Sequence, residues 1–421
     1  MARFSSLDEW LAWQEQFHPR TIDLGLERVS GVYSRLCPKP GKIHTMTVAG
    51  TNGKGSCVAF LEAIYLAQGY KVGAYTSPHI LKYNERIRIN GHPCADLLIC
   101  QAFSRIDDVR GDTSLSYFEF GTLAALDIFN REAVDIRILE VGLGGRLDAV
   151  NIVDADVALV TTISLDHVDW LGHTVEAIAR EKAGIFRLDV PAVIGDRQVP
   201  TSLVQTAAEK NAPVFQLGQH FDYQKQLDAW DWSSRQTKYT DLPHPQLKGE
   251  HQYRNASTVL MALECMQPIL PVDEQAIRAG LQQTRLQGRF QLIEGERTIL
   301  LDVAHNPQAV QTLLDYLQAY FPQITIHAIF AMMKDKDICK VLAMMQGRVA
   351  HWYLAPLDYP RAASVETINI YLQQLNIKNV SCGYSDFAAT FNDAQSKALP
   401  GEMILIFGSF FLVSEYLSQF A

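Results

Sequence analysis

Short apolar runs alternate along the chain with stretches in which apolar residues recur at helical spacing, the pattern of buried strands separated by amphipathic helices. KIHTMTVAG (42–50) reads as a buried strand. A glycine-rich turn follows, then a helix through SCVAFLEAIYLAQGY with Gly69 as its C′ residue. KVGAYTSPH reads as a second strand ending in Ser77, Pro78 and His79. VDIRILEVGLGG (134–145), DVALVTTISLDHVDW (156–170) and VPAVIG (190–195) are further strands, the first two with polar residues at their C-terminal ends. Such strands, joined through helical segments, predict an α/β fold built on a mostly parallel sheet with helices on both faces.

The stretch from about 218 to 248 departs from this, being rich in Trp, Tyr, Asp, Gln and Pro with partial alternation, and predicts a small antiparallel patch or long hairpin. Alternation resumes with TILLDVAHNP (298–307), ITIHAIFAMM, RVAHWYLAPLD, NVSCGYSDF and MILIFGSF, a second α/β unit with its own strands. The boundary is placed near Leu286 to Gly288, giving domains 1–287 and 288–421. A chain of 421 residues is longer than single cores usually grow, which agrees with two domains. No internal repeat accompanies the shared alternation.

Composition narrows the classes. At 48% hydrophobic and 20% charged the chain is ordinary for a globular protein. A formal net charge of −9 argues against broad nucleic-acid binding, which needs a basic footprint. The N-terminus lacks a signal-peptide core, and the longest apolar run, MILIFGSFFLV (403–413), suits a buried strand and the start of a helix, not a membrane span. Seven cysteines without C-x-x-C spacing suit reduced thiols, so a cytoplasmic protein is expected, and no regular ligand spacing supports zinc at Cys94, Cys100, His79 and His92.

TVAGTNGKGSCVAF (47–60) carries the candidate chemistry. Gly50, Gly53 and Gly55 lie between an apolar strand and a helix, where successive backbone N–H groups can form an anion-binding nest, and Lys54 adds a cation. The usual phosphate-loop pattern needs Gly at 48 and Ser or Thr at 55, whereas this chain has Val48 and Gly55. The plainer reading is a glycine-rich turn with an exposed lysine. Ligands in open parallel sheets sit beyond the carboxyl ends of the strands, and those ends carry Ser77, Glu140, Asp166 and His167. Converging beside a phosphate loop, such groups would suit a divalent cation, while singly each reads as a capping or solvated residue. In EVGLGGRLDAVN the glycines precede Arg146 and Asp148 but lack the third glycine of a dinucleotide fingerprint. REKAGIF puts Lys182 on a helix ending at Gly184, and LLDVAHNP puts Asp302, His305 and Asn306 at a strand end or an Asn-Pro turn.

Taken in order, AGTNGKGS, TSPH, FEFGTLAAL, ILEVGLGGRLDAVN, SLDHVDWLG, EKAGIF, GEHQYRNA, LQGRF and LDVAHNP resemble the Mur ligase superfamily and, within it, the folylpolyglutamate synthases. TIDLGLERV (21–29) resembles the bifunctional bacterial members, which act as both dihydrofolate synthase and folylpolyglutamate synthase. The resemblance implies a P-loop-type, mostly parallel ATP-binding domain like the Mur ligase central domain, carrying a pterin site, and a smaller Rossmann-like glutamate ligase domain. It implies ATP as co-substrate, activation of a carboxylate as an acyl phosphate, and attack by the amine of L-glutamate on dihydropteroate or folate derivatives. Asn52, Gly53, Lys54, Gly55 and Ser56 would cradle the phosphates. Ser77, Glu140 and His167 would hold Mg²⁺, and a carbamylated Lys182 would anchor a second Mg²⁺. Asn255, Arg289 and Asp302 match nucleotide contacts, and His305 matches a position facing the cleft. Asp23, Phe118, Glu119, Arg146 and Asp148 match the pterin site. A monomer with small-molecule partners alone is expected, without nucleic acid or membrane.

Three other readings compete. A monofunctional folylpolyglutamate synthase keeps the chemistry and drops dihydropteroate. A cell-wall Mur ligase would need an extra N-terminal domain, for which the chain before residue 50 is too short. A non-catalytic nucleotide switch would tolerate substitution of Lys182 and His305.

Overall fold

The computed structural model describes residues 3–20, 22–38 and 41–420; Thr21, the first residue of TIDLGLERV, lies outside them. The chain forms two compact units. The first comprises residues up to Ser164, Val168–Gln246 and Gln252–Arg285; the second comprises Leu165–His167, Leu247–His251 and Leu286 onward.

The first unit is built on eight strands: β1 (His44–Ala49), β2 (Val72–Tyr75), β3 (Ile87–Ile89), β4 (His92–Pro93), β5 (Ile136–Glu140), β6 (Val157–Val160), β7 (Ala192–Ile194) and β8 (Val214–Gln216). Their order is β4-β3-β2-β5-β1-β6-β7-β8, parallel from β2 to β8 with β3 and β4 antiparallel at one edge. The central strands are buried on both faces, which is why they read as unbroken apolar runs. Helix Lys54–Gln68 leaves β1 and ends at Gly69 in the left-handed conformation, as the sequence predicts. A core of Trp10, Phe103, Phe120, Leu123 and Phe129 fills the space beneath the N-terminal helices.

Two local expectations are revised and one element is added. The apolar pattern carries a strand from 156 to 170, whereas β6 stops at Val160 and a short helix covers Val168–Leu171. Past Val160 the chain follows the turning loop and no longer extends the strand: Thr161 N donates to Ala49 O (2.9 Å), Thr162 O accepts from Thr51 N (2.6 Å), and both threonine hydroxyls donate to the carbonyl of Asn52. Helix Val175–Lys182 ends at Lys182, with a 3₁₀ turn Ala183–Ile185 after it, not at Gly184. The β3–β4 hairpin, missed in the periodicity, turns on Asn90 (φ 51°) and Gly91 (φ 77°), a two-residue turn that needs positive φ at both positions.

The 218–248 stretch forms a separate antiparallel sheet of β9 (Phe221–Lys225), β10 (Trp230–Ser234) and β11 (Lys238–Leu242). Trp230 and Trp232 alternate inward, their indole N–H groups donating to the carbonyls of Pro243 (2.9 Å) and Ser257 (3.1 Å).

The second unit is a six-stranded sheet of β12 (Gln291–Ile293), β13 (Thr298–Asp302), β14 (Ile326–Phe330), β15 (His351–Leu354), β16 (Val380–Ser381) and β17 (Met403–Phe407). The order is β12-β13-β17-β14-β15-β16, parallel except for β12, around a core of Leu300, Ala328, Phe330, Trp352, Leu405 and Phe407. The apolar run at 403–413 is β17 followed by the start of helix Phe410–Phe420. Among the described residues no helix is long and apolar enough to cross a membrane.

Candidate active site

β1 delivers the chain into Gly50, Thr51, Asn52 and Gly53 before helix Lys54–Gln68 begins. Gly50 has φ 141°, and a Cβ there would stand 1.8 Å from Thr161 Oγ1; Gly53 has φ 92°, and its Cβ would stand 2.7 Å from Asn255 Oδ1. Only glycine fits either place. The turn is pinned from the end of β6: Thr51 N donates to Thr162 O (2.6 Å), and Asn52 O accepts from Thr161 Oγ1 (2.6 Å) and Thr162 Oγ1 (3.2 Å). No side chain caps the helix at Gly53, so its first-turn amides face the mouth of the loop as an anion site.

Two lysines converge there. Lys54 Nζ donates to Gly50 O and Thr51 O at 3.1 Å each, and the buried Lys182 Nζ donates to the same Gly50 O at 2.8 Å. Two ammonium groups on one carbonyl repel each other, and an anion beside them would relieve that repulsion. Ser56 is buried; its hydroxyl accepts from Gln252 Nε2 (3.3 Å), and Gln252 Oε1 accepts from Asn255 Nδ2 (3.0 Å).

Glu140 closes β5 and Ser77 follows the adjacent β2, so both stand at the same sheet end. Glu140 is 5% exposed and its Oε2 accepts from Ser77 N at 3.3 Å. His167 belongs to the segment that packs with the second unit. Among the described residues no group of three or more His, Cys, Asp or Glu is gathered as a metal cage. A hydroxyl and a carboxylate at the sheet end make a hard, incomplete oxygen shell, the donor set that fits Mg²⁺, an ion that keeps waters and phosphate oxygens as its remaining ligands.

The residues expected around the pterin fall into four settings. Arg28 joins Asp23 (3.0 Å) to Glu119 (3.1 Å), and Asp23 also pairs with His18 Nε2 at 3.1 Å. Glu119, 3% exposed, is at the same time the capping-box residue of helix Tyr117–Arg131, accepting from Ser116 N at 2.7 Å. The Phe118 ring lies against Gly142, where a Cβ would meet it at 2.6 Å. Arg146 is half exposed and its guanidinium engages Glu181 (2.9 Å), a partner that a substrate carboxylate would have to displace. Asp148 is buried beneath the GLGGRLDA loop, accepting from Leu143 N (2.7 Å) and Val150 N (3.0 Å). Burial pushes its carboxyl up to about 6, against the opposing pull of those hydrogen bonds and the Lys182 charge.

In the second unit Asp302 ends β13 and is buried, accepting from Phe290 N (3.1 Å) and Ala304 N (2.9 Å). Burial raises it to about 6, opposed first by the Arg289 charge. The Arg289 guanidinium lies over the Phe410 ring at 4.9 Å. Asn306 caps helix Pro307–Tyr320 through Ala309 N and also donates to Asp166 Oδ2 at 3.2 Å. His305 Nδ1 is 2.9 Å from Val303 O, and its Nε2 is 3.6 Å from Asp166 Oδ2.

Two family models match the chain: the Mur ligase middle domain over residues 48–263 and the Mur ligase glutamate ligase domain over 288–410. The dihydrofolate synthase/folylpolyglutamate synthase of Escherichia coli is 42% identical over 97% of this chain and 94% of its own length. The chain belongs to this Mur ligase family. The structure of E. coli FolC in complex with DHPP and ADP superposes with a TM-score of 0.93 at 42% identity, covering 98% of this chain and 97% of that one. A structure of a bifunctional folylpolyglutamate synthase/dihydrofolate synthase with Mn, AMPPNP and L-glutamate bound gives a TM-score of 0.90 at 42% identity, with 98% of each chain covered.

For this Mur ligase family member, several site residues escape sequence reasoning. Thr161 and Gln252 brace the phosphate loop from distant segments; Thr161 lies in none of the quoted motifs, and Gln252, though inside GEHQYRNA, carries no local signal of that bracing contact. Arg28 stands inside the quoted DLGLERV stretch, where its charge was the one available signal. Lys336 pairs with Asp166, and its signal is a KDKD run soon after the apolar strand β14.

Proposed function

We propose that this chain is an ATP-dependent ligase that joins L-glutamate to dihydropteroate and extends folates by further glutamates. The observation that carries the reading is the meeting of Lys54 and Lys182 on the Gly50 carbonyl, at an uncapped helix start behind a glycine turn. A carboxylate is a poor electrophile; transfer of the γ-phosphoryl of ATP to it gives an acyl phosphate with ADP as leaving group. The glutamate amine then attacks the acyl carbon, the tetrahedral intermediate collapses, and inorganic phosphate leaves an amide. Most of the work is positioning and charge neutralisation.

In this reading the amides of Asn52 to Ser56 and the Lys54 ammonium hold the phosphates in line. Ser77, Glu140 and His167 are the proposed Mg²⁺ ligands, and Lys182, carbamylated, is proposed for a second ion. Bound Mg²⁺ supplies neutralisation of phosphate charge as it develops. Asn255, Arg289 and Asp302 are proposed nucleotide contacts, and His305 is proposed to bind glutamate or shield the intermediate. Asp23, Phe118, Glu119, Arg146 and Asp148 are proposed for the pterin; each Asp148 oxygen keeps lone-pair capacity beyond its backbone bond. A monomer in the cytoplasm is part of the same reading; the seven free cysteines suit the reducing compartment.

The test is release of ADP and phosphate when the protein meets ATP, Mg²⁺ and L-glutamate with dihydropteroate or with tetrahydrofolate. Turnover with both is expected. Turnover with tetrahydrofolate alone would mark a monofunctional folylpolyglutamate synthase, and turnover with neither would overturn the ligase reading.

A further inference from the structure

Asp166 is the hub of a buried cluster in the second unit. Its side chain is 9% exposed and that of Lys336, its ion-pair partner, 7%. One carboxylate oxygen accepts both the Lys336 ammonium and the backbone N–H of the next residue, His167 (2.8 Å). The other accepts from Asn306 Nδ2 at 3.2 Å and faces His305 Nε2 at 3.6 Å. The His305 ring is held at its other nitrogen by the Val303 carbonyl, which can only accept, so Nδ1 carries a proton.

His167 itself stands at φ 50°, a left-handed conformation uncommon outside glycine that a local hydrogen-bond constraint helps to hold. The Asp166 carboxylate on its N–H is such a constraint. A buried ion pair is a poor source of net stability, because desolvating two charges offsets most of their attraction. Its better use is to fix one arrangement. Here the arrangement fixed is that of two histidines, one on each side of a single carboxylate.

We propose that Lys336 is a positioning residue for the ligation: its ammonium locks Asp166, which in turn fixes the His167 backbone and the His305–Asn306 strand end. The inference rests on the roles given above to His167 and His305. Lys336 touches no reacting atom in this scheme. It sets the two histidines relative to each other, so its loss slows the chemical step while nucleotide affinity stays.

The test uses the full-length chain. In ligand-free protein, amide hydrogen exchange in the peptides spanning His167 and His305 is expected to quicken about tenfold or more in K336M, with β1 unchanged. In steady-state assays kcat is expected to fall about a hundredfold with the KM for ATP within about threefold, and K336R is expected to recover part of the loss. Exchange and kcat both within about twofold of the parent would overturn the proposal. If K336M fails to fold, the neutral pair D166N/K336M decides: a folded but slow enzyme upholds the lock, and a kcat restored to about that of the parent overturns it, since an unpaired charge would then have been the whole defect. A parent chain that releases no ADP with either pterin overturns the ligase reading on its own, and the exchange measurement still reads the lock.

Discussion

Replacing Lys182 by alanine separates its part in folding from its part in catalysis. The side chain is buried and its ammonium donates to Gly50 O at 2.8 Å. Losing a hydrogen bond from a charged group costs about 1.5–3 kcal/mol. Part of that returns, because Lys54 still donates to the same carbonyl and no longer shares it with a second cation. The net change in stability is therefore expected at about 1–2 kcal/mol. Catalysis is expected to suffer more, by a factor of about 10²–10³ in kcat, the usual loss when one preorganised charge-stabilising group is removed. ADP release under saturating ATP, Mg²⁺, glutamate and dihydropteroate measures it, beside a thermal melt. Carbamylation makes two further claims. Acetate or formate should restore part of the activity of Lys182→Ala by occupying the emptied space as an anion, and parent protein equilibrated with carbon-13 bicarbonate should show a carbamate carbon resonance absent from the variant. Carbamylation would also replace a charge that holds Asp148 down with one that pushes it up. Full activity in Lys182→Ala would refute the catalytic role; lost activity without rescue or a carbamate signal would leave an ammonium role and refute the modification.

Gly50→Ala would set a Cβ 1.8 Å from Thr161 Oγ1 at a φ of 141°, a combination expected to cost about 2–3 kcal/mol and to raise the KM for ATP about tenfold or more; a variant with the parent's ATP kinetics would contradict the loop's role. Arg28→Met removes the bridge between Asp23 and Glu119, so the KM for dihydropteroate should rise about tenfold or more while that for ATP holds, and equal rises in both would place Arg28 in general folding. Asp302 is raised from 3.8 to about 6 by burial, so the folded state binds its proton more tightly than the unfolded one; stability assigned to this group falls as pH rises from about 4 to about 6 and is level above. A carbon-13 carboxyl titration should find its midpoint near 6, and a midpoint near the ordinary 3.8 would refute the assignment. Asp166 runs the other way: burial alone would raise it, but its interactions with His305 and Lys336 hold it well below the usual carboxylate range, so its contribution is present at neutral pH and is lost only in strong acid.

The strands were legible because their signal is local. An apolar run bounded by polar residues, such as IRILE or MILIF, needs no knowledge of its neighbours to be read as a buried strand. The same local logic overran at 156–170, where apolar residues continue past Val160 but the two threonines follow the turning phosphate loop, bonding it through backbone and hydroxyl. It also passed over the Asn90-Gly91 hairpin, whose turn dipeptide is a strong signal in strands too short to show alternation. The candidate site divides in the same way. Gly50, Gly53, Lys54, Ser77 and Glu140 stand at strand ends and loop positions that sequence can mark. Arg28 with Glu119, Gln252 with Ser56 and Lys336 with Asp166 are pairs from remote parts of the chain, and only the folded backbone joins them.

The two departures from the usual phosphate-loop pattern have separate structural causes. Position 48 cannot be the first loop residue, because Val48 is a fully buried member of β1, in register with Glu140 on β5 and Leu159 on β6. The strand runs on to Ala49, and the glycine that the turn needs comes at 50. Position 55 normally offers a hydroxyl for the metal. Here it is Gly55, and the nearest hydroxyl in sequence, Ser56, is buried and engaged by Gln252. Ser77, whose backbone N–H donates to Glu140, is a hydroxyl-bearing residue at this sheet end beside a carboxylate. A loop that holds phosphate through backbone and lysine while a neighbouring strand end supplies the ion's ligands divides the two tasks between separate segments. On that division, Ser77→Ala should weaken activation by Mg²⁺ without loosening the loop, whereas Gly53→Ala, whose Cβ would stand 2.7 Å from Asn255 Oδ1, should disturb the loop and leave the dependence on Mg²⁺ concentration unaltered.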